Sequence, residues 1–244
     1  MTITKLDDLH VVTQSLRGHH LGSAFDLLSE ARAATDIKPQ NRANVLATRL
    51  SASCIIHSYC ALESHVNLIG HDMFSDESSR TYIAVKKRSF LVQKLVQTWN
   101  NASVLEKLFF LACDDGVVSY SEHLQQRLRE LNNLRNWLVH GFTYTTTLLL
   151  RPKVDETYEV LDTEDSVNWG KKFPQCKFNS IHELGPRDAF TALQVVLDAL
   201  EPIAFKYHRP IEVFTAVPSL NYQIIEPGCY TVEAVLGRLP SEAV

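Results

Sequence analysis

Apolar residues recur at intervals of three and four along most of the first 140 positions, the spacing that lines one face of an α-helix. From Leu6 to Ala34 the repeat takes in Leu9, Val12, Leu16, Leu21, Phe25 and Leu28, and predicts a helix loosened at Gly18 and Gly22. Asp36 to Pro39 breaks it. A long second helix is predicted from about Asn41 to Gly70, its stripe made of Ile55, Tyr59, Leu62, Val66 and Ile69. The polar, Ser-rich stretch His71 to Ser79 reads as a loop. A third helix covers roughly Thr81 to Trp99, a shorter one Val104 to Cys113, and Asp114-Asp115-Gly116 is a turn signal. Ser119 or Ser121 then offers an N-cap to a helix that holds LRELNNLRNWLVHGF, Leu128 to Phe142.

After Gly141 the pattern changes. Phe142 to Leu150 and Thr157 to Leu161 are rich in β-branched and aromatic residues, and Pro152 to Glu156 between them predicts the turn of a hairpin. Residues 162–185 are polar and irregular. Pro186 opens another amphipathic helix, with Phe190, Leu193, Val196, Leu197 and Leu200, that runs to about Tyr207 and stops before Pro210. Scattered apolar residues among Pro218, Pro227 and Gly228 predict an extended final segment draped on the body. The expected fold is mainly α: an up-down helical bundle over residues 1–208, a small β-hairpin insertion at about 142–162 before the last helix, and an extended C-terminal tail over 209–244.

Composition changes this picture little. With 244 residues, 45% of them hydrophobic and 21% charged, the chain can bury a full core without staples. A net charge of −4 argues against a broadly basic surface, so any nucleic-acid contact has to be local. Lys86-Lys87-Arg88 and Lys171-Lys172 with Lys177 read as solvated decoration. Five cysteines without a C-x-x-C pair read as reduced thiols of a cytoplasmic protein. The opening MTITKLDDLH lacks the apolar core of a signal peptide, and no run approaches the ~20 apolar residues of a membrane span, so no membrane is expected. His57, Glu63 and His65 do not share one helix face, so neither metal nor cofactor is expected. P-loop, dinucleotide, nucleophile-elbow and metalloprotease motifs are missing from the sequence.

Chemistry concentrates in the fourth helix. At about 100° per residue, Leu124, Leu131, Leu138 and Phe142 form a narrow stripe, with Arg135 inside it, while Asn133, Asn136, Trp137 and His140 group on the far side. A charge in an apolar stripe must reach water or meet a carboxylate. Glu63 on the second helix is the candidate partner, with Asn67 one turn later. Trp137 beside His140 suggests a covered face, for which a second copy of the chain is a natural occupant.

Arg135-Asn136-Trp137-Leu138-Val139-His140-Gly141 resembles the signature of the HEPN superfamily (higher eukaryotes and prokaryotes nucleotide-binding). That signature has an arginine, a polar residue and, after four to six intervening positions, a histidine, late in a helical bundle. Glu63 and Asn67 are similar to polar positions that such bundles carry opposite the motif. The resemblance spans residues 1–208. It implies a metal-independent endoribonuclease of toxin or anti-phage defence type, working as a homodimer on RNA. In that role Arg135 would bind the scissile phosphate, His140 would serve as general base or acid, and Asn136 would orient substrate or histidine. Attack by the ribose 2′-hydroxyl would leave a 2′,3′-cyclic phosphate. The family also implies an alternative: a non-catalytic module that binds nucleotide, RNA or a partner protein, such as an antitoxin or a nucleotidyltransferase.

Overall fold

The computed structural model describes residues 16–38, 40–74, 99–113, 119–140, 146–153, 158–165, 184–215 and 223–237. The expected helical stretches 6–15 and 81–98, the turn at 114–116, Phe142 and both lysine clusters lie outside them. The described residues are mostly helical, as the periodicity predicts. Their elements are α1 (Arg17–Ala34), α2 (Gln40–Phe74), α3 (Val104–Cys113), α4 (Glu122–His140), β1 (Thr146–Pro152), β2 (Tyr158–Asp165), α5 (Pro186–Lys206), β3 (Ile211–Val213), β4 (Gln223–Ile225) and α6 (Val232–Leu236). Strands β1 and β2 pair antiparallel with a register shift at Leu149/Leu150, and β3 pairs antiparallel with β4.

The bundle is organised around α2 and α5. Helix α2 packs against α1, α5, α4 and α3, and its stripe Ile55, Tyr59, Leu62, Val66 and Ile69 is buried throughout. An 18-residue window within Ala43–Asp72 has a mean hydropathy of 1.3, so this part of the helix is, by length and composition alone, apolar enough to cross a membrane. Single polar residues hide this in the sequence, where no such run is expected. Its apolar side here lies against neighbouring helices; Glu63 borders that side, and Cys60 and His57 follow further round the helix, all three half-buried. Helix α5 is buried nearly all round, from Ala189 to Ala204. Cys54 sits where three helices meet: its thiol donates to the Ala24 carbonyl of α1 at 3.1 Å and lies 3.9 Å from that of Ala189 on α5. Burial pushes that thiol up to about 12, so it packs as an inert apolar group.

Helix ends follow local chemistry. Ser103 and Glu106 form a reciprocal capping box at α3, and Ser121 Oγ accepts from Leu124 N–H at the start of α4. At the other end of α3 the Leu111 carbonyl accepts from Lys206 Nζ at 2.7 Å and Tyr207 Oη at 3.0 Å, tying two helix C-termini together. Helix α5 closes with His208 in the left-handed region (φ 52°), His208 N–H bonded to Phe205 O and Arg209 N–H to Ala204 O. This is a Schellman turn, and it throws the chain back over α1.

The C-terminal segment differs from the expected tail. It is not simply extended: it forms β3, β4 and α6, and it interlocks with α1 and α5. Gly18 and Gly22 were expected to loosen α1, yet the helix runs through both without a break. They are a groove. A Cβ at Gly22 would stand 1.6 Å from the Phe214 carbonyl oxygen, and one at Gly18 would stand 2.3 Å from the Phe214 ring. Phe214 N–H bonds the Gly18 carbonyl at 2.9 Å. Arg17, buried, pairs with Glu212 at 2.8 Å, and Arg209 pairs with Asp72. Between these pairs lies His65, 1% exposed. Burial, then the charges of Arg17 and Arg209, hold its pKa down to about 3, so the ring is neutral. Further along, Gln194 on α5 bridges to the Tyr230 carbonyl and the Val232 N–H.

The α4 stripe is also rotated from its expected position. Its buried centre is Leu128, Leu131 and Leu134, with Leu124 and Leu138 at the margin. Trp137, expected to face away, is half-buried and packs against the core. Glu130 is fully buried, bonded by Gln126 Nε2 at 3.4 Å.

Candidate functional site

Arg135 lies at the edge of the core, where α4 crosses α2. Tyr59 and Glu63, four residues apart, stand on the same side of α2. The guanidinium carbon of Arg135 is 5.2 Å from the centre of the Tyr59 ring, over its face, and Nη2 is 3.7 Å from Glu63 Oε2. Nη1 donates to Asn136 Oδ1 at 3.0 Å. The Tyr59 hydroxyl donates in turn to Asn132 Oδ1 on α4 at 2.5 Å, so the ring beneath the arginine is fixed from both helices. Burial, with the charge of Glu63 second, pushes that phenol well above its ordinary value, so it stays protonated as a donor. The Arg135 side chain is 21% exposed and that of Glu63 is 38% exposed. The buried Nε of Arg135 makes no hydrogen bond among the described residues.

The expected pairing of Arg135 with Glu63 is therefore present, and Asn136 joins it. Asn67 does not. It is exposed and accepts from Lys107 Nζ of α3 at 3.1 Å. His140 is exposed at the last position of α4. Five residues of helix separate it from Arg135 by about 7.5 Å along the axis and about 140° around it. The two side chains leave α4 in different directions, and one copy of the chain does not bring them to a common point.

Two neighbours of the arginine carry no motif signal. Tyr59 reads as stripe, and only its spacing of four from Glu63 points to the shared site. Cys60 is a half-buried free thiol; burial raises its pKa, and the charge of Arg135 draws it partly back. Among the described residues no group of three or more His, Cys, Asp or Glu side chains is placed to hold a metal ion. Comparison with protein-family models, with curated proteins and with solved structures finds no match.

Proposed function

We propose that the protein is a HEPN-like, metal-independent endoribonuclease of the cytoplasm, active as a homodimer in a toxin or defence role. One observation carries the reading: Arg135 is held on three sides by Glu63, Tyr59 and Asn136, yet keeps an exposed edge, with a histidine at the exposed end of the same helix. A guanidinium fixed before substrate arrives suits a phosphate, which it meets with two parallel N–H groups and a charge that never titrates. His140 takes the proton of a ribose 2′-hydroxyl, whose oxygen attacks the neighbouring phosphorus. The 5′-oxygen leaves with a proton and a 2′,3′-cyclic phosphate remains. Arg135 and His140 diverge within one chain, so the reading requires a second copy to supply the histidine or the arginine. Arg135 then works against the Glu63 carboxylate, which RNA has to displace.

The same ion pair favours a second reading. A guanidinium already neutralised by Glu63 suits a non-catalytic module that binds nucleotide, RNA or a partner protein, with Arg135 as structural cement. Cleavage of a mixed-sequence RNA in EDTA, by wild type, Arg135→Ala, Arg135→Lys and His140→Ala, separates the two. The nuclease reading expects cyclic-phosphate ends from wild type, a dimer by light scattering, and a loss of at least ~100-fold in each variant, the low end for a general acid–base group. Cleavage that survives His140→Ala, or a wild type silent at high concentration, would sink it.

A further inference from the structure

A second polar pair lies between α1 and α2. His20 of α1 faces His57 of α2 with their Nδ1 atoms 3.2 Å apart, ring centres at 5.4 Å and planes tilted by 45°. Both rings are half-buried and open on one side to solvent. Burial lowers the pKa of each; for His20 the neighbouring His57 and His19 lower it further, and Glu63 alone works the other way. Near neutral pH both rings are thus uncharged, the form in which imidazole binds metal. The helix pair is held in register by the buried Cys54 thiol on the Ala24 carbonyl, one turn along from the histidines, so the two nitrogens are presented by rigid elements.

We propose that His20 and His57 form a two-histidine site for a borderline transition-metal dication, of the Zn(II), Ni(II) or Cu(II) class, bridging α1 and α2. With metal–nitrogen bonds of roughly 2.0–2.1 Å, a separation of 3.2 Å sets a nitrogen–metal–nitrogen angle of roughly 100°, close to tetrahedral. In the metal-free protein one tautomer shares its Nδ1 proton across the same gap, and the ion takes that proton's place. Imidazole selects these ions over Mg(II) and Ca(II), which take oxygen ligands. No third His, Cys, Asp or Glu completes a set among the described residues, so water fills the remaining positions. The nearby negative charge of Glu63 favours a cation there. The site stands independently of the nuclease reading.

Calorimetric titration of untagged full-length protein with ZnCl2 at pH 7.5, in a non-chelating buffer, tests the site. Wild type and Cys60→Ser are expected to bind one equivalent alike. His20→Ala and His57→Ala are each expected to weaken binding by about tenfold or more, the scale set by losing even an outer-shell partner. A smaller loss in either alanine variant, a loss in Cys60→Ser, or no saturable binding by wild type overturns the proposal. Cu(II) electron spin resonance on wild type gives a readout that needs no variant. Hyperfine structure from two nitrogens is expected, and fewer than two overturns the assignment.

Discussion

The seam where β3 lies on α1 and the exposed end of α4 use the same residue types, arginine, glutamate and histidine, in opposite surroundings. In the seam, Arg17 and Glu212 pair at 2.8 Å with 10% and 24% of their side chains exposed, beside a fully buried His65. On α4, Arg135 and Glu63 stand 3.7 Å apart at 21% and 38%, and His140 is exposed. Distance and solvent decide what each pair does. Desolvated charges at contact distance make a lock that fails badly when one half is removed. Looser, wetter charges contribute little to folding and can be drawn to a ligand. The difference teaches that the arginine best suited to chemistry is the one that stability depends on less.

That contrast can be broken from the seam first. Glu212→Ala leaves Arg17 without its carboxylate and is expected to cost about 2–3 kcal/mol in urea unfolding, toward the low end for a broken buried pair because Glu212 is partly wet. A loss well under 1 kcal/mol would place the seam with ordinary surface pairs. Gly22→Ala gains up to ~1 kcal/mol of helix propensity but drives a methyl into the Phe214 carbonyl, and overpacking against backbone costs up to ~3 kcal/mol. The clash wins, with a net loss of about 2 kcal/mol and faster proteolysis of the segment after residue 210.

The seam's pH dependence is a separate prediction. His65 binds its proton near pH 6.5 when unfolded but only near 3 when folded, so between those values the unfolded chain holds more protons. Its contribution is complete above about pH 6.5 and falls away on acidification, by ~2 kcal/mol at pH 5. His20 and His57, lowered less, add in the same direction. Unfolding at pH 7.5 and pH 5 measures the slope, and His65→Gln should flatten it; an unchanged slope in the variant removes His65 from the account. At the α4 end the effects shrink. Arg135→Ala is expected to cost no more than ~1 kcal/mol and His140→Ala to stay within ~0.5 kcal/mol. A larger loss from Arg135→Ala than from Glu212→Ala would invert the comparison.

Legibility in the sequence followed the range of the interaction. The α2 stripe, Ser121 as a cap and Pro186 as the first residue of α5 depend on neighbours within a turn or two, and all are where the pattern put them. Arg135 opposite Glu63 was also legible, since a charge in an apolar stripe had one carboxylate to meet within the expected span Asn41 to Gly70 of the facing helix. Gly18 and Gly22 misled because a glycine in a helix looks like weakness until its partner is known, and Phe214 is nearly the whole chain away. Glu130 carries no sign of its burial in the sequence, because the true centre of the α4 stripe is set by how that helix rolls against α2 and α5. The strands and short helix after residue 210 escaped for the same reason. They are held by α1 and α5, not by their own periodicity.

The seam has a consequence in time. Arg17 and Glu212 are 195 residues apart, so their contact closes a loop that takes in most of the chain. The α1–α2 hairpin forms from residues a short loop apart, whereas β3 can reach its groove only once α5 and its Schellman turn have aimed the chain. Seam contacts are therefore expected to close late, past the folding barrier, in a groove left open on a nearly finished bundle. Stopped-flow kinetics on Glu212→Ala should show unfolding accelerated by nearly the whole loss of stability and refolding almost unchanged.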